Sequence, residues 1–599
     1  MKTRNLFNKK RSCHQPKLIG KDTQSKQTEG SLEWIRNQLI GRDEEFDTPF
    51  GRRVLIYADH TASGRCLHYI ENYITQQVLP FYGNTHTKDS YAGERTTRMV
   101  SDATEYIKRC LGAGPDDVLL FCGSGATAAI KRLQEVMGIA VPATLMDRVI
   151  KNLREEERWV VFVGPHEHHS NLLSWRQSAA EVIEIGFDGD GMLDMEALEL
   201  ELSSMKYRNR PLLGSFSACS NVTGIITDTR ALARLLHKHG AFACFDFASS
   251  GPYVEIDMRS GDIEGYDAIF ISPHKFIGGP GSPGILMMNK TLYQLRSLPP
   301  STCGGGIVDY VNGYNPEDTL YRDGIEERED AGTPLILQKI RAALAFWVKE
   351  SVGYDVINVK ERLYIQKATE RLRKNPNIKI LGNSDAEKIS IFSFMVFPSE
   401  TGGCRMENRK PLHGRFVTKL LNDLFGIQAR GGCFCAGPYG HYLLGVDKNL
   451  SLSIRSHIQM GYIGLKPGWT RVSFAYYITE EECIFILDAI EFIASYGHLF
   501  LPMYHFDWAT GDWNFLKCAS KYHFMQEDIL MERKNGLHCF HVAKGRASDR
   551  DHKSSMKKNH GCLKNYIEIA IKIAHSLPEK PLPMSIPNDV DPKVIMFKI

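Results

Sequence analysis

Apolar and polar positions are distributed unevenly along this chain. Residues 1–50 are polar and carry no firm period. From about residue 54 to 350, short continuous apolar runs alternate with stretches of helical spacing. ATEYIKRCLGAG (103–114) reads as a helix stopped by glycine, and DVLLFCGSG (117–125) as a buried strand. RWVVFVGP (158–165), FACFDF (242–247) and DAIFIS (267–272) are further strands, while DTRALARLLHKHG (228–240) has an N-cap residue, apolar spacing and a terminal glycine. Strands without internal alternation are buried on both faces. With helices between them, they predict an α/β domain with a mainly parallel sheet. A second mixed pattern, with KISIFSFMVF (388–397) and TRVSFAYY (470–477), runs from about 351 to 504. Residues 505–599 differ again, being rich in aromatics, histidines and lysines. The expected division is therefore 1–50 as a weakly ordered basic extension, 51–350 as a large α/β domain, 351–504 as a smaller α+β domain, and 505–599 as an extension.

Composition narrows the classes. The 599 residues are 43% hydrophobic and 24% charged, an ordinary globular mix that is long enough for more than one domain. A net charge of +3 gives no argument for nucleic acid or an anionic membrane as partner. No uninterrupted apolar run approaches the ~18 residues of a membrane span. Fourteen cysteines without a secretory start fit free thiols in a reducing compartment, so a cytoplasmic location is expected. The basic opening MKTRNLFNKKRSCHQPKLIGK leaves a mitochondrial presequence as the alternative.

Candidate chemistry gathers at predicted strand ends, where open α/β sheets bind ligands. FCGSGAT (121–127) presents small residues entering a helix, whose free N–H groups can hold a phosphate. FACFDF ends on Asp246. ISPHKFIGGPGSPGIL (271–286) places Lys275 directly after a strand, amid glycine and proline. VGPHEHHSN (163–171) offers a histidine at another strand end. Phosphate cradle, carboxylate and lysine, in that order, point to pyridoxal 5'-phosphate. Taken singly, each feature has a plainer reading: a surface lysine, a common glycine turn, an aspartate helix cap.

With these motifs on the page, residues 54–495 resemble the class V aminotransferases, on the branch of cysteine desulfurases and selenocysteine lyases. The resemblance implies the type I fold of pyridoxal-phosphate transferases, with a mainly parallel seven-stranded sheet. It implies that Lys275 carries the cofactor, Asp246 pairs with its ring nitrogen, and His168 stacks on its ring. Asn221, in SACSNVTG, would sit near the phenolic oxygen and the substrate. Gly125, Ala126, Thr127, Ser272 and His274 would hold the phosphate. Gly332 and Thr333, in AGTP, would reach the phosphate of a partner subunit, which implies a homodimer. One departure stands out: desulfurases usually show Gly-Ala-Gln after the aspartate, and this chain has Phe247-Ala248-Ser249. Ser249 is shorter than glutamine, so the ring's electronics are expected to differ.

QARGGCFCAGPYG (428–440) bears on the reaction type. Arg430, Gly432 and Cys435 match the family's Arg-x-Gly-x-x-Cys, in which the cysteine takes up sulfur. A cation beside a thiol populates the nucleophilic thiolate. Cys433 is an extra thiol, fit for a persulfide relay or a disulfide with Cys435; a purely structural thiol is the alternative. Arg471, in GWTRVSFAYYITEEE, would grip the substrate α-carboxylate through its planar guanidinium. The expected activity is removal of sulfur from L-cysteine, giving alanine and a persulfide on Cys435, with a sulfur-acceptor protein downstream. Selenocysteine lyase, epimerase or other β-elimination, molybdenum-cofactor sulfurase and a non-catalytic scaffold are the alternatives. In the C-terminal segment, Cys518, His523, His538, Cys539, His541, His552, His560 and Cys562 match no zinc-finger spacing, and no metal is expected.

Overall fold

The computed structural model describes residues 21–398, 409–516, 555–578 and 584–598. The continuous apolar runs become the strands of a seven-stranded sheet. In chain order these are β1 (Asp117–Cys122), β2 (Val160–Val163), β3 (Glu181–Glu184), β4 (Leu212–Ser217), β5 (Phe242–Asp246), β6 (Ala268–Ile271) and β7 (Gly284–Asn289). Their spatial order is β1-β7-β6-β5-β4-β2-β3. Only β7 runs against its neighbours; the pairs β2–β3, β2–β4, β4–β5 and β5–β6 are parallel. Val160–Val163 and Ala268–Ile271 are buried at every position, which explains the lack of alternation in their sequences.

Helices cover the sheet, and their ends follow local chemistry. The helix Thr229–Lys238 starts where Asp228 Oδ1 accepts the Ala231 N–H at 3.0 Å, and is followed by Gly240 at φ +71°. Register then decides what meets at the carboxyl edge. Ser217 pairs with Asp246, and Asp246 with Phe270, so the loops after β4, β5 and β6 emerge side by side.

A second sheet, all antiparallel, has the order β8 (Ile378–Ile380), β9 (Ile391–Val396), β11 (Trp469–Ser473), β10 (Arg430–Gly432). A short parallel pairing sets Ile56 against Ile427 and Tyr57 against Gln428. It brings the residues after Tyr57 alongside those after Gln428. The stretch Glu480–Met503 is long and apolar enough to cross a bilayer, but it packs as a core helix, with Leu487, Ala489, Ile490 and Ile493 fully or almost fully buried.

The expectation of a weakly ordered extension to residue 50 fails for its described part. Lys21–Gln38 is a helix, with Leu32 and Ile35 fully buried. Trp34 meets Tyr69 and Trp347 edge-on, and buried Arg36 donates to the Tyr477 carbonyl at 2.6 Å. So few apolar side chains anchor it that its period was hard to see. In the C-terminal extension, the helix Ser555–Ser576 lies on the helices Gly414–Phe425 and Glu480–Tyr496. Tyr566 stacks under the Arg53 guanidinium at 4.5 Å. His560 and Cys562 fall on this helix, whereas Cys518, His523, His538, Cys539, His541 and His552 lie outside the described residues.

Candidate active site

A cavity of about 290 Å³ opens over the carboxyl edge of the large sheet. Its lining includes Ala126, Thr127, His168, Asn221, Asp246, Ser249, Ser272, His274, Lys275, Cys435 and Arg471. These residues come from five strand-end loops and from the second sheet. Gly125 lies just beneath. Its φ is +59°, and a Cβ there would stand 2.7 Å from the His274 ring and 2.8 Å from Ser272 Oγ, so only glycine fits. The Ala126 N–H is held by Ser272 Oγ at 2.9 Å, and Thr127 Oγ1 lies 2.6 Å from Ser170 Oγ. Gly332 and Thr333 are not part of this cavity. They are exposed, and Thr333 Oγ1 accepts from Asn84 Nδ2 at 3.2 Å.

Burial sets the electrostatics of the floor. It pushes the Lys275 ammonium down to about 8, against the opposing pull of Asp246. Asp246 is raised by its own burial, although the Ala248 N–H donates to it at 2.8 Å. His168 is pushed down to about 4 by burial and by the Lys275 charge, and is neutral near pH 7. His274 is likewise pushed down to about 4. Below them Glu167 accepts from Gly164 N, Ser217 N, Ser217 Oγ and Asn171 Nδ2, tying the ends of β2 and β4 together.

The roof is built differently. Arg471 on β11 is buried, pushed down to about 10 by desolvation. It donates to the Asn221 carbonyl at 2.8 Å and to Asp59 Oδ1 at 3.1 Å. Arg430 donates to Asp59 Oδ2 through Nε at 2.9 Å. Asp59 therefore bridges both guanidiniums, placed there by the parallel pairing of Tyr57 with Gln428. The arginine five residues before Cys435 is thus anchored to a carboxylate. Phe434 lies under the Arg471 guanidinium at 4.5 Å. Phe434 and Cys435 both have φ +55°, a left-handed conformation costing about 1–2 kcal/mol for each non-glycine residue. Cys435 is exposed at the cavity mouth, and Cys433 is half-buried; both are free thiols rather than a disulfide.

The residues present fit a phosphorylated pyridine aldehyde. The glycine cradle with Ser272 and Thr127 suits a phosphate. Asp246 is a buried carboxylate that a ring cation would complement, and Lys275 is a buried amine able to carry an aldehyde. Among the described residues, Asn221 Oδ1 is buried without a hydrogen-bond partner, though its Nδ2 donates to the Phe434 carbonyl at 2.8 Å. Such an atom calls for a donor from a bound molecule.

Sequence reasoning missed Asp59, Thr61, Cys219 and Ser170 as cavity or support residues. The only signal for Asp59 was a carboxylate directly after the apolar stretch Val54–Ala58. Its arginine partners lie 371 and 412 positions away.

Comparisons with known proteins agree with this architecture. A probable cysteine desulfurase of Halalkalibacterium halodurans is 26% identical over 451 residues, covering 74% of this chain and 95% of that protein. One from Streptomyces coelicolor is 24% identical over 446 residues, covering 74% and 93%. Among solved structures, an apo cysteine desulfurase from Thermococcus onnurineus shares the fold at a TM-score of 0.58 and 21% identity, covering 77% of this chain and 98% of that one. The cysteine desulfurase CsdA of Escherichia coli does so at 0.55 and 22%, covering 77% and 97%. The Aminotransferase class-V family profile spans residues 56–484, and on that match the chain belongs to the class V aminotransferases, enzymes that work with pyridoxal 5'-phosphate.

Proposed function

We propose that this protein removes sulfur from L-cysteine, releasing L-alanine and leaving a persulfide on Cys435. The observation that carries the reading is the presence of an accessible thiol, Cys435, at the mouth of the cavity that holds Lys275, Asp246 and Arg471. Its relatives, described as probable cysteine desulfurases, point the same way.

Lys275, with Asp246, His168 and the Gly125–Thr127 and Ser272–His274 cradle, would hold pyridoxal phosphate, which supplies an electron sink that loosens bonds at the α and β carbons of a bound amino acid. Arg471 binds the substrate carboxylate. Lys275, pushed down to about 8, is in part neutral near pH 7 and can take up and return a proton at Nζ. Asn221 orients polar groups above the ring. Cys435 forms the S–S bond as the substrate's carbon–sulfur bond breaks. A sulfur-acceptor protein then receives the sulfur. Exposure of Gly332 and Thr333 supports a homodimer in which they reach the partner's phosphate. Domain boundaries near residues 350 and 504 and a cytoplasmic location belong to the same proposal.

The test is purified holoenzyme assayed for alanine release, comparing parent and Cys435→Ser. The variant should bind cysteine and alter the visible spectrum while losing about 10³-fold or more in turnover, because the hydroxyl is a poor nucleophile for sulfur. Parent-like turnover would make Cys435 structural. Turnover of selenocysteine but not cysteine would move the protein to the lyase branch.

A further inference from the structure

His168 and His169 are adjacent but serve different parts of the site. His168 lines the cavity. His169 is not part of that lining, and its polar groups engage the cysteine segment directly after the thiol-bearing residue. The His169 backbone N–H, one of the free donors at the start of the helix His169–Arg176, donates to the Cys435 carbonyl at 2.7 Å. The ring accepts at Nε2 from the Gly437 N–H at 3.0 Å. Gly437 opens the helix Gly437–Leu444, so its N–H has no partner within that helix. Acceptance at Nε2 fixes the ring proton on Nδ1. A Cβ at position 437 would stand 3.2 Å from His169 Nε2, so glycine lets the imidazole seat closely. Between these two bonds lies Ala436, and the left-handed residues Phe434 and Cys435 stand immediately before them.

Left-handed backbone at consecutive non-glycine residues persists only where its surroundings hold it. We propose that His169 is a positioning residue for Cys435, holding the thiol's segment in this conformation through one bond from its backbone and one to its ring. The inference rests on the reading of Cys435 as the sulfur acceptor. It adds that the thiol is fixed at the cavity mouth, so an acceptor must come to it. Misplacement of a reacting atom by about 1 Å can cost up to ~100-fold in rate.

The test uses holoenzyme and the variants His169→Ala and His169→Gln, whose amide oxygen can still accept from Gly437. Turnover is measured alongside cofactor absorbance, thermal melting and the iodoacetamide rate of Cys435, mapped by peptide mass against exposed Cys303. His169→Ala should lower kcat about tenfold with KM within twofold. Absorbance and melting should stay at parent values. Cys435 alkylation should change at least threefold relative to Cys303. His169→Gln should recover kcat to within threefold of the parent. A His169→Ala variant with parent kcat and parent alkylation ratio would overturn the proposal. So would a His169→Gln variant as impaired as His169→Ala, or loss of cofactor or fold in both, since the histidine would then be merely structural. If Cys435→Ser keeps full turnover, the desulfurase reading fails while the alkylation ratio still decides whether His169 holds the loop.

Discussion

The floor and the roof of the cavity are held by opposite means. Asp246, Ser272 and Lys275 stand on or just beyond β5 and β6, whose register is fixed by a ladder buried on both faces. Moving them would mean slipping a strand, which turns every side chain to the wrong face. Cys435 stands on a left-handed bend pinned by individual hydrogen bonds to Asn221 and His169, with Arg430 tied to Asp59. Each such bond contributes about 1 kcal/mol. The lesson is that this site joins a rigid half, which fixes where a cofactor sits, to a half that a few contacts can reset.

The largest break would be in the floor. Lys275→Ala removes both the covalent anchor and the base, so turnover should fall by about 10³-fold or more and the visible cofactor band should disappear. Full activity with an unchanged spectrum would remove the lysine from the chemistry.

A medium effect sharpens the same half. A buried amine near 8 captures an aldehyde only when neutral, and the neutral fraction grows as pH rises through that value. The initial rate of cofactor capture by the cofactor-free protein should therefore rise roughly tenfold between pH 7 and pH 9. Stopped-flow absorbance reads it directly; a rise of roughly 100-fold would mean Lys275 titrates as an ordinary lysine rather than as a depressed amine.

The smallest effect falls on the roof. Asp59→Asn keeps the shape of the bridge between Arg430 and Arg471 but removes its charge. KM for cysteine should shift about fivefold, close to 1 kcal/mol, with the cofactor band intact. Simultaneous loss of the band would place Asp59 in the floor instead.

The same contrast explains what could be read in advance. The floor was legible because each of its residues follows a short apolar run, and runs of that kind become parallel strands whose carboxyl ends meet at one edge. Gly125, Asp246 and Lys275 could be placed from their own neighbours in sequence. The roof was only half legible. Arg430, Cys435 and Arg471 could be picked out by the likeness of their motifs, but Asp59, which connects two of them, depends on the pairing of residues 56–57 with 427–428. No local pattern encodes a contact between such distant segments. His169 was passed over because its role is carried by a backbone N–H and one ring nitrogen, neither of which leaves a periodic trace. The helix Lys21–Gln38 was missed because only a few of its side chains, such as Leu32 and Ile35, are buried.

That distant pairing also orders events on the ribosome. Synthesis runs from the N-terminus at about 5–20 residues per second, and segments begin to fold as they emerge. All seven strands of the large sheet have been made once Asn289 is reached. Asp59, Arg430 and Arg471 cannot meet until the chain has been made beyond position 471, after a further 182 residues. For roughly 10–40 seconds the nascent protein can own a cradle for its cofactor but no clamp for its substrate. A cofactor that enters during this interval meets a lysine not yet roofed over.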